Sequence, residues 1–140
     1  MSPALAVFCR EYQALSGANL QVLTDIYAPD IFFRDPAHHI QGITDLVSYF
    51  EGLFSQVQHC HFAIEQVMEQ EGEAFVRWQM TFSHPRLNGG REVVVPGVSH
   101  LRFTEQIDFH QDYFDLGAML YEQIPLLGGI IKTLKRRLSQ

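Results

Sequence analysis

Three acidic and basic side chains stand where a fold can give them work in proton transfer. Asp35 ends the apolar run Ile31-Phe32-Phe33-Arg34 and directly precedes Pro36. A carboxylate partly desolvated at such a place becomes a stronger base and can abstract a proton next to a carbonyl. The same Asp-Pro pair also suits a turn in which the carboxylate accepts hydrogen bonds from loop amides. His110 and Asp112 lie two residues apart, which on a strand puts them on one face, and Phe114 continues that face with an apolar group. They form either an oriented acid/base pair or a buried pair that fixes the strand.

Other residues are candidates by position. Tyr12 falls on the apolar side of a helical pattern, as a core tyrosine whose hydroxyl is satisfied at a cavity edge. His38 and His39 follow the Asp-Pro loop, at the mouth of any cavity. Trp78, Met80 and Phe82 share one face of an alternating stretch and line the concave side of a sheet, and Phe54 belongs to an apolar helical stripe. His59, His61 and Glu65 share a strand face. Spacing places no further ligand beside them, so no metal is expected.

The elements that must position these groups are legible from periodicity. Residues 3–15 read as a helix with Leu5, Phe8, Tyr12 and Leu15 on one side. A turn at 16–19 precedes a short helix over 20–27, which Pro29 is expected to end. A strand over 30–35 and the Asp-Pro loop follow. Gly42 opens a helix over 43–57, with the stripe Ile43, Leu46, Val47, Phe50, Phe54 and Val57. The period then changes to two. Strands are expected over 59–69, 74–82, 91–104 and 107–115, with a hairpin turn at Glu71-Gly72-Glu73. Pro96-Gly97 inside the third of these reads as a bulge or bend. A helical turn over 117–123 and a helix over 125–138 end the chain. The helix has Ile130, Ile131, Leu134 and Leu138 on one side and a basic C-terminal end. Helices segregated from an antiparallel sheet define an α+β domain, and residues 1–140 read as one domain.

Composition narrows the function classes. Apolar residues make up 46% and charged residues 19%, as in ordinary globular proteins, while aromatics reach 12%. That aromatic content fits a generous core or an aromatic-lined cavity. A net charge of -6 disfavours nucleic acid as a partner. Cys9 and Cys60 stand in no motif spacing and read as reduced and buried, which fits a cytoplasmic protein. No membrane span and no secretory signal are expected.

Tyr12, the run Asp30-Ile31-Phe32-Phe33-Arg34-Asp35-Pro36, Gly42-Ile43, and the segments Leu101-Arg102-Phe103 and Ile107 to Asp115 together resemble the nuclear transport factor 2-like superfamily. The ending His110-Gln111-Asp112-Tyr113-Phe114-Asp115 is similar to that of its SnoaL-like branch. The resemblance implies a cystatin-like roll: a cone-shaped, curved antiparallel sheet around N-terminal helices, here with an extra C-terminal helix. The superfamily includes ketosteroid isomerases, SnoaL-type polyketide cyclases, limonene epoxide hydrolases and dehydratases. By resemblance, Tyr12 matches an oxyanion donor, Asp35 the isomerase base, and Asp112 the acid/base of the cyclases. Ser99 stands where the isomerases carry a protonated acid, a departure that weakens an isomerase assignment. The resemblance also implies a homodimer through the open sheet face, where Phe75 interrupts an otherwise polar row.

Two kinds of function follow. One is a cofactor-independent isomerase, cyclase or dehydratase that takes an apolar small molecule bearing a carbonyl or epoxide. The other is a non-catalytic ligand-binding or protein-interaction module on the same fold.

Overall fold

The computed structural model describes residues 1–57, 59–119, 133, 134 and 136–139. Helix α1 (Pro3–Gln13) begins with proline in its first turn, where the missing N–H costs nothing. It buries Leu5, Phe8 and Tyr12. A 3-10 turn (Leu20–Val22) and the short α2 (Leu23–Ile26) follow, then strands β1 (Tyr27–Arg34) and β2 (His39–Gln41). Helix α3 (Ile43–Gln56) starts after Gly42, whose φ of 91° lies in the region that glycine tolerates best. Strands β3 (His59–Gln70), β4 (Glu73–Ser83), β5 (Val93–Phe103) and β6 (Ile107–Phe114) form a meander, and α4 (Leu116–Met119) follows it.

The six strands lie in the order β2-β1-β6-β5-β4-β3. The meander pairs are antiparallel, as expected, but β1 joins β6 in parallel, so the sheet is mixed. That parallel pairing is what brings the Asp35 loop next to the His110 segment. Helix α1 packs on β3 and α3 on β1, so the helices cover one face of the sheet. The core between them holds Leu5, Phe8, Leu46, Phe50, Val76 and Leu101.

Three local expectations are corrected. The second helix ends at Ile26, and Pro29 lies inside β1 rather than after a helix. Proline is tolerated there because the register with β6 is interrupted between Tyr27 and Phe32. The residues after His38, expected as loop, form β2. Pro96-Gly97 is not a bulge, because the β4–β5 register runs unbroken from Glu73↔Arg102 to Phe82↔Val93. The irregularity in the long hairpin sits in β3, between Ile64 and Gln66, and it lets Val67 pack against the core.

The turn Glu71-Gly72 joins β3 to β4 with φ of 43° and 78°, the left-handed values a tight two-residue hairpin needs. Residues 133, 134 and 136–138 are helical, with Leu134 and Leu138 exposed. Most of the expected helix over 125–138, and residues 120–123 of the expected turn, fall outside the described residues. Cys9 and Cys60 are free and half-buried. Among the described residues, no helix is long and apolar enough to cross a membrane.

Candidate functional site

Inside the cone, between α3 and the concave sheet face, lies a cavity of about 170 Å³. It slightly exceeds the roughly 150 Å³ that accommodates a benzene ring in an engineered core. Its wall is mainly aromatic, including Phe33, Phe50, Phe54, Phe62, Trp78 and Phe114. Two carboxylates, Asp35 and Asp112, and two phenols, Tyr12 and Tyr49, interrupt that wall. Eight of the sequence-derived candidates thus converge: Asp35, Asp112, Tyr12, Trp78, Met80, Phe82, Phe54 and Phe114 all line it.

Asp112 and its partners come from the alternation of β5 and β6. Register pairs Ser99 with Asp112, and the two-residue repeat turns His110 to the same side. Asp112 Oδ1 accepts from Ser99 Oγ at 2.5 Å and lies 2.6 Å from His110 Nε2. Trp78 Nε1 donates to Ser99 Oγ at 2.8 Å, which leaves the serine proton for Asp112. Both bonds to Asp112 end on Oδ1, so Oδ2 is the oxygen available to the cavity. Ser99 and His110 are fully buried behind Asp112 and do not line the cavity.

His110 is packed among rings. Phe33 and Phe8 meet it edge-on at 4.8 and 5.6 Å, and Tyr27 stacks on it at 5.7 Å. Tyr27 Oη lies 2.7 Å from Nδ1. Burial pushes the Tyr27 and Tyr12 phenols well above their ordinary range, and the nearby Asp112 charge acts in the same direction. A phenol held protonated has a proton to donate, and Nδ1 is the acceptor within reach. In the tautomer with its proton on Nε2, the imidazole accepts from Tyr27 at Nδ1 and donates to Asp112 Oδ1.

Asp35 is held differently. Its Oδ1 accepts from the backbone N–H groups of Ala37 at 2.8 Å and His38 at 2.7 Å. Tyr49 donates to Oδ2 at 2.5 Å, and His38 Nδ1 lies 3.1 Å from Oδ1 and 3.3 Å from Oδ2. Burial, followed by the bond to Asp35, raises the Tyr49 phenol far above its ordinary range, so it too stays a donor. Asp35 therefore caps its own loop, the alternative that the Asp-Pro pair always allowed. His38, 49% exposed, sits outside the cavity wall against Asp35.

Sequence reasoning missed Tyr27 and Tyr49. Tyr49 lies three residues after Leu46 and flanks the α3 stripe, so a wider stripe would have included it. Periodicity places Tyr27 inward at the end of the expected second helix, but nothing local points to its role, because its partner is 83 positions away. Among the described residues, no group of three or more His, Cys, Asp or Glu is placed to hold a metal. Cys60 reaches the cavity wall, and burial pushes its thiol up to about 11.

The fold is shared with solved structures. A nuclear transport factor 2-like protein of unknown function from Burkholderia pseudomallei superposes with a TM-score of 0.76 at 17% identity, covering 89% of this chain and 99% of that one. A protein with a ketosteroid isomerase-like fold from Catenulispora acidiphila, in complex with trimethylamine, gives 0.75 at 18% identity, with 90% and 95% covered. TerC, co-crystallised with polyporic acid, gives 0.75 at 14% identity, with 88% and 98% covered. No curated protein matches the chain. The family model for the SnoaL-like domain matches residues 10–107, from within α1 to the start of β6, and the chain belongs to that family.

Proposed function

We propose that this protein binds an apolar small molecule in the cone cavity and moves a proton on it through Asp112. The observation that carries this reading is the asymmetry of Asp112. Its Oδ1 is fixed by His110 and Ser99 while Oδ2 is left to an aromatic cavity. A carboxylate so placed has few waters to reorganise and a fixed orientation toward a bound carbon acid. His110, engaged at Nε2 with Oδ1 and backed by Tyr27 at Nδ1, holds Asp112 in orientation, and the proton that Oδ2 gains is returned to the ligand. Tyr12, on the cavity wall, is the donor for the oxygen that becomes negative. Asp35 shapes the mouth and holds Tyr49 in place. The reaction class is enolisation next to a carbonyl, the step common to isomerisation, cyclisation and dehydration, and no cofactor is required for it. Small molecules bound to the Catenulispora protein and to TerC support the choice of a small-molecule site.

The test is proton exchange. Cyclohexanone and β-tetralone are incubated with the protein in deuterium oxide, and loss of the α-proton signal is followed by NMR. Exchange faster than in protein-free buffer supports the reading. Binding with no exchange across such carbon acids replaces it with the non-catalytic one, in which the cavity retains a ligand unchanged.

The outer face of the sheet has its own expectation. Phe75 and Met68 are 47% and 65% exposed there, and Phe75 stacks on His100 at 4.4 Å. We propose this face as the homodimer contact, which sedimentation of the purified protein tests directly.

A further inference from the structure

The charge balance of the cavity narrows its ligand class, given that the cavity is a ligand site as proposed above. Two of its wall residues are carboxylates, each more than nine-tenths buried. Among the described residues, no lysine or arginine lines it. The histidines that touch the carboxylates do so from behind: His38 from the solvent side and His110 from the core. Both ring nitrogens of His110 are engaged, Nδ1 with Tyr27 and Nε2 with Asp112 Oδ1. The Asp112 carboxylate is left with one oxygen that has no hydrogen-bond partner among the described residues and that opens on aromatic rings.

An anion entering this space meets like charge in a poorly screened interior, where Coulomb terms are several times those in water. A neutral ligand leaves the Asp112 charge uncompensated, a costly state for a buried carboxylate. An organic cation removes that cost, and aromatic rings stabilise an ammonium group without the strong hydration that a bare charge loses. The volume admits one compact head group with its methyls. We infer that the cavity prefers a compact tertiary or quaternary ammonium ion to its neutral and anionic isosteres, the cation lying against Asp112 Oδ2 within the aromatic wall and competing there with a carbonyl ligand.

A charge series of constant shape tests this without altering the protein. Choline, tert-butylethanol and the anion of tert-butylacetic acid present nearly the same branched head as cation, neutral group and hydrophobic anion. Their affinities are read by NMR titration of amide signals at neutral pH and low salt. Choline is expected to bind at least tenfold more tightly than tert-butylethanol, and the anion weakest of the three. In Asp112→Asn, with its fold checked by circular dichroism, the cation's advantage is expected to fall to within about threefold. Equal or tighter binding of tert-butylethanol or the anion overturns the inference and leaves the cavity as a ligand site. No binding of any of the three overturns the inference, and the exchange assay with ketones then decides the acid/base reading independently. A preference for choline that survives in folded Asp112→Asn also overturns it, because Asp112 is then not the counter-charge.

Discussion

Gly97→Ala probes the back wall of the cavity with a single methyl. A Cβ at Gly97 would stand 2.3, 2.6 and 2.7 Å from Cη2, Cζ2 and Cζ3 of Trp78. Real Cβ atoms do not approach so closely, so the indole ring or strand β5 must move. The ring has little freedom. It is 2% exposed, edge-on to Phe62 at 5.4 Å, and tied by Nε1 to Ser99. Overpacking of this kind costs about 1–3 kcal/mol. Loss of the Ser99 hydrogen bond adds about 1 kcal/mol. The sum is about 2–4 kcal/mol, or roughly 8–15 °C in Tm for a chain of this length. Trp78 is the sole tryptophan, so its emission reports the ring directly during urea denaturation. The shift is expected together with a changed native emission spectrum. Gly52→Ala is the control, because a Cβ there meets nothing within 4 Å and helix propensity favours alanine by about 0.5–1 kcal/mol. Should Gly97→Ala match the wild type within about 0.5 kcal/mol with unaltered emission, the close packing of Trp78 on β5 is refuted.

Two further outcomes are expected. Tyr49→Phe removes the donor to Asp35 Oδ2 and is expected to cost about 1.5–3 kcal/mol in urea denaturation, the range for a hydrogen bond to a charged group; a neutral effect would show that Asp35 does not depend on it. Tyr12 and Tyr27 stay protonated in the folded protein while unfolded tyrosine ionises near pH 10, so the unfolded state binds fewer protons above that pH. Stability is therefore full below about pH 10 and falls as pH rises past it, by about 1.4 kcal/mol per pH unit for each of the two. Tyr12→Phe should make that alkaline slope shallower by one such increment, and an unchanged slope would contradict its burial as a neutral phenol.

Much of the architecture could be read from hydrophobic periodicity, and the reasons are physical. Strand β4 alternates strictly because one of its faces is buried, and Ala74, Val76, Trp78 and Phe82 are all inward. The stripe on α3 works in the same way through Leu46 and Phe50. At Pro96-Gly97 the unbroken register leaves no bulge, and the close approach of Trp78 to Gly97 could not be read locally, because Trp78 lies on the neighbouring strand. Pro29 misled for a similar reason, since an interrupted register with β6 makes room for it inside β1. Local pattern also could not rank the two aspartates. Asp35 carries the stronger motif, yet its oxygens are occupied by loop amides and Tyr49. The freedom of Asp112 Oδ2 depends on Ser99 and His110 both choosing Oδ1, a matter of cross-strand geometry.

The central claim is that Asp112, not Asp35, is the proton acceptor of the cavity. It is tested most directly by comparing ketone α-deuterium exchange in wild type, Asp112→Asn and Asp35→Asn, each checked for folding by circular dichroism. A loss of at least about 100-fold is expected in Asp112→Asn, as for removal of a general base, and retention within about tenfold in folded Asp35→Asn. Exchange that survives in Asp112→Asn and disappears in Asp35→Asn would contradict it.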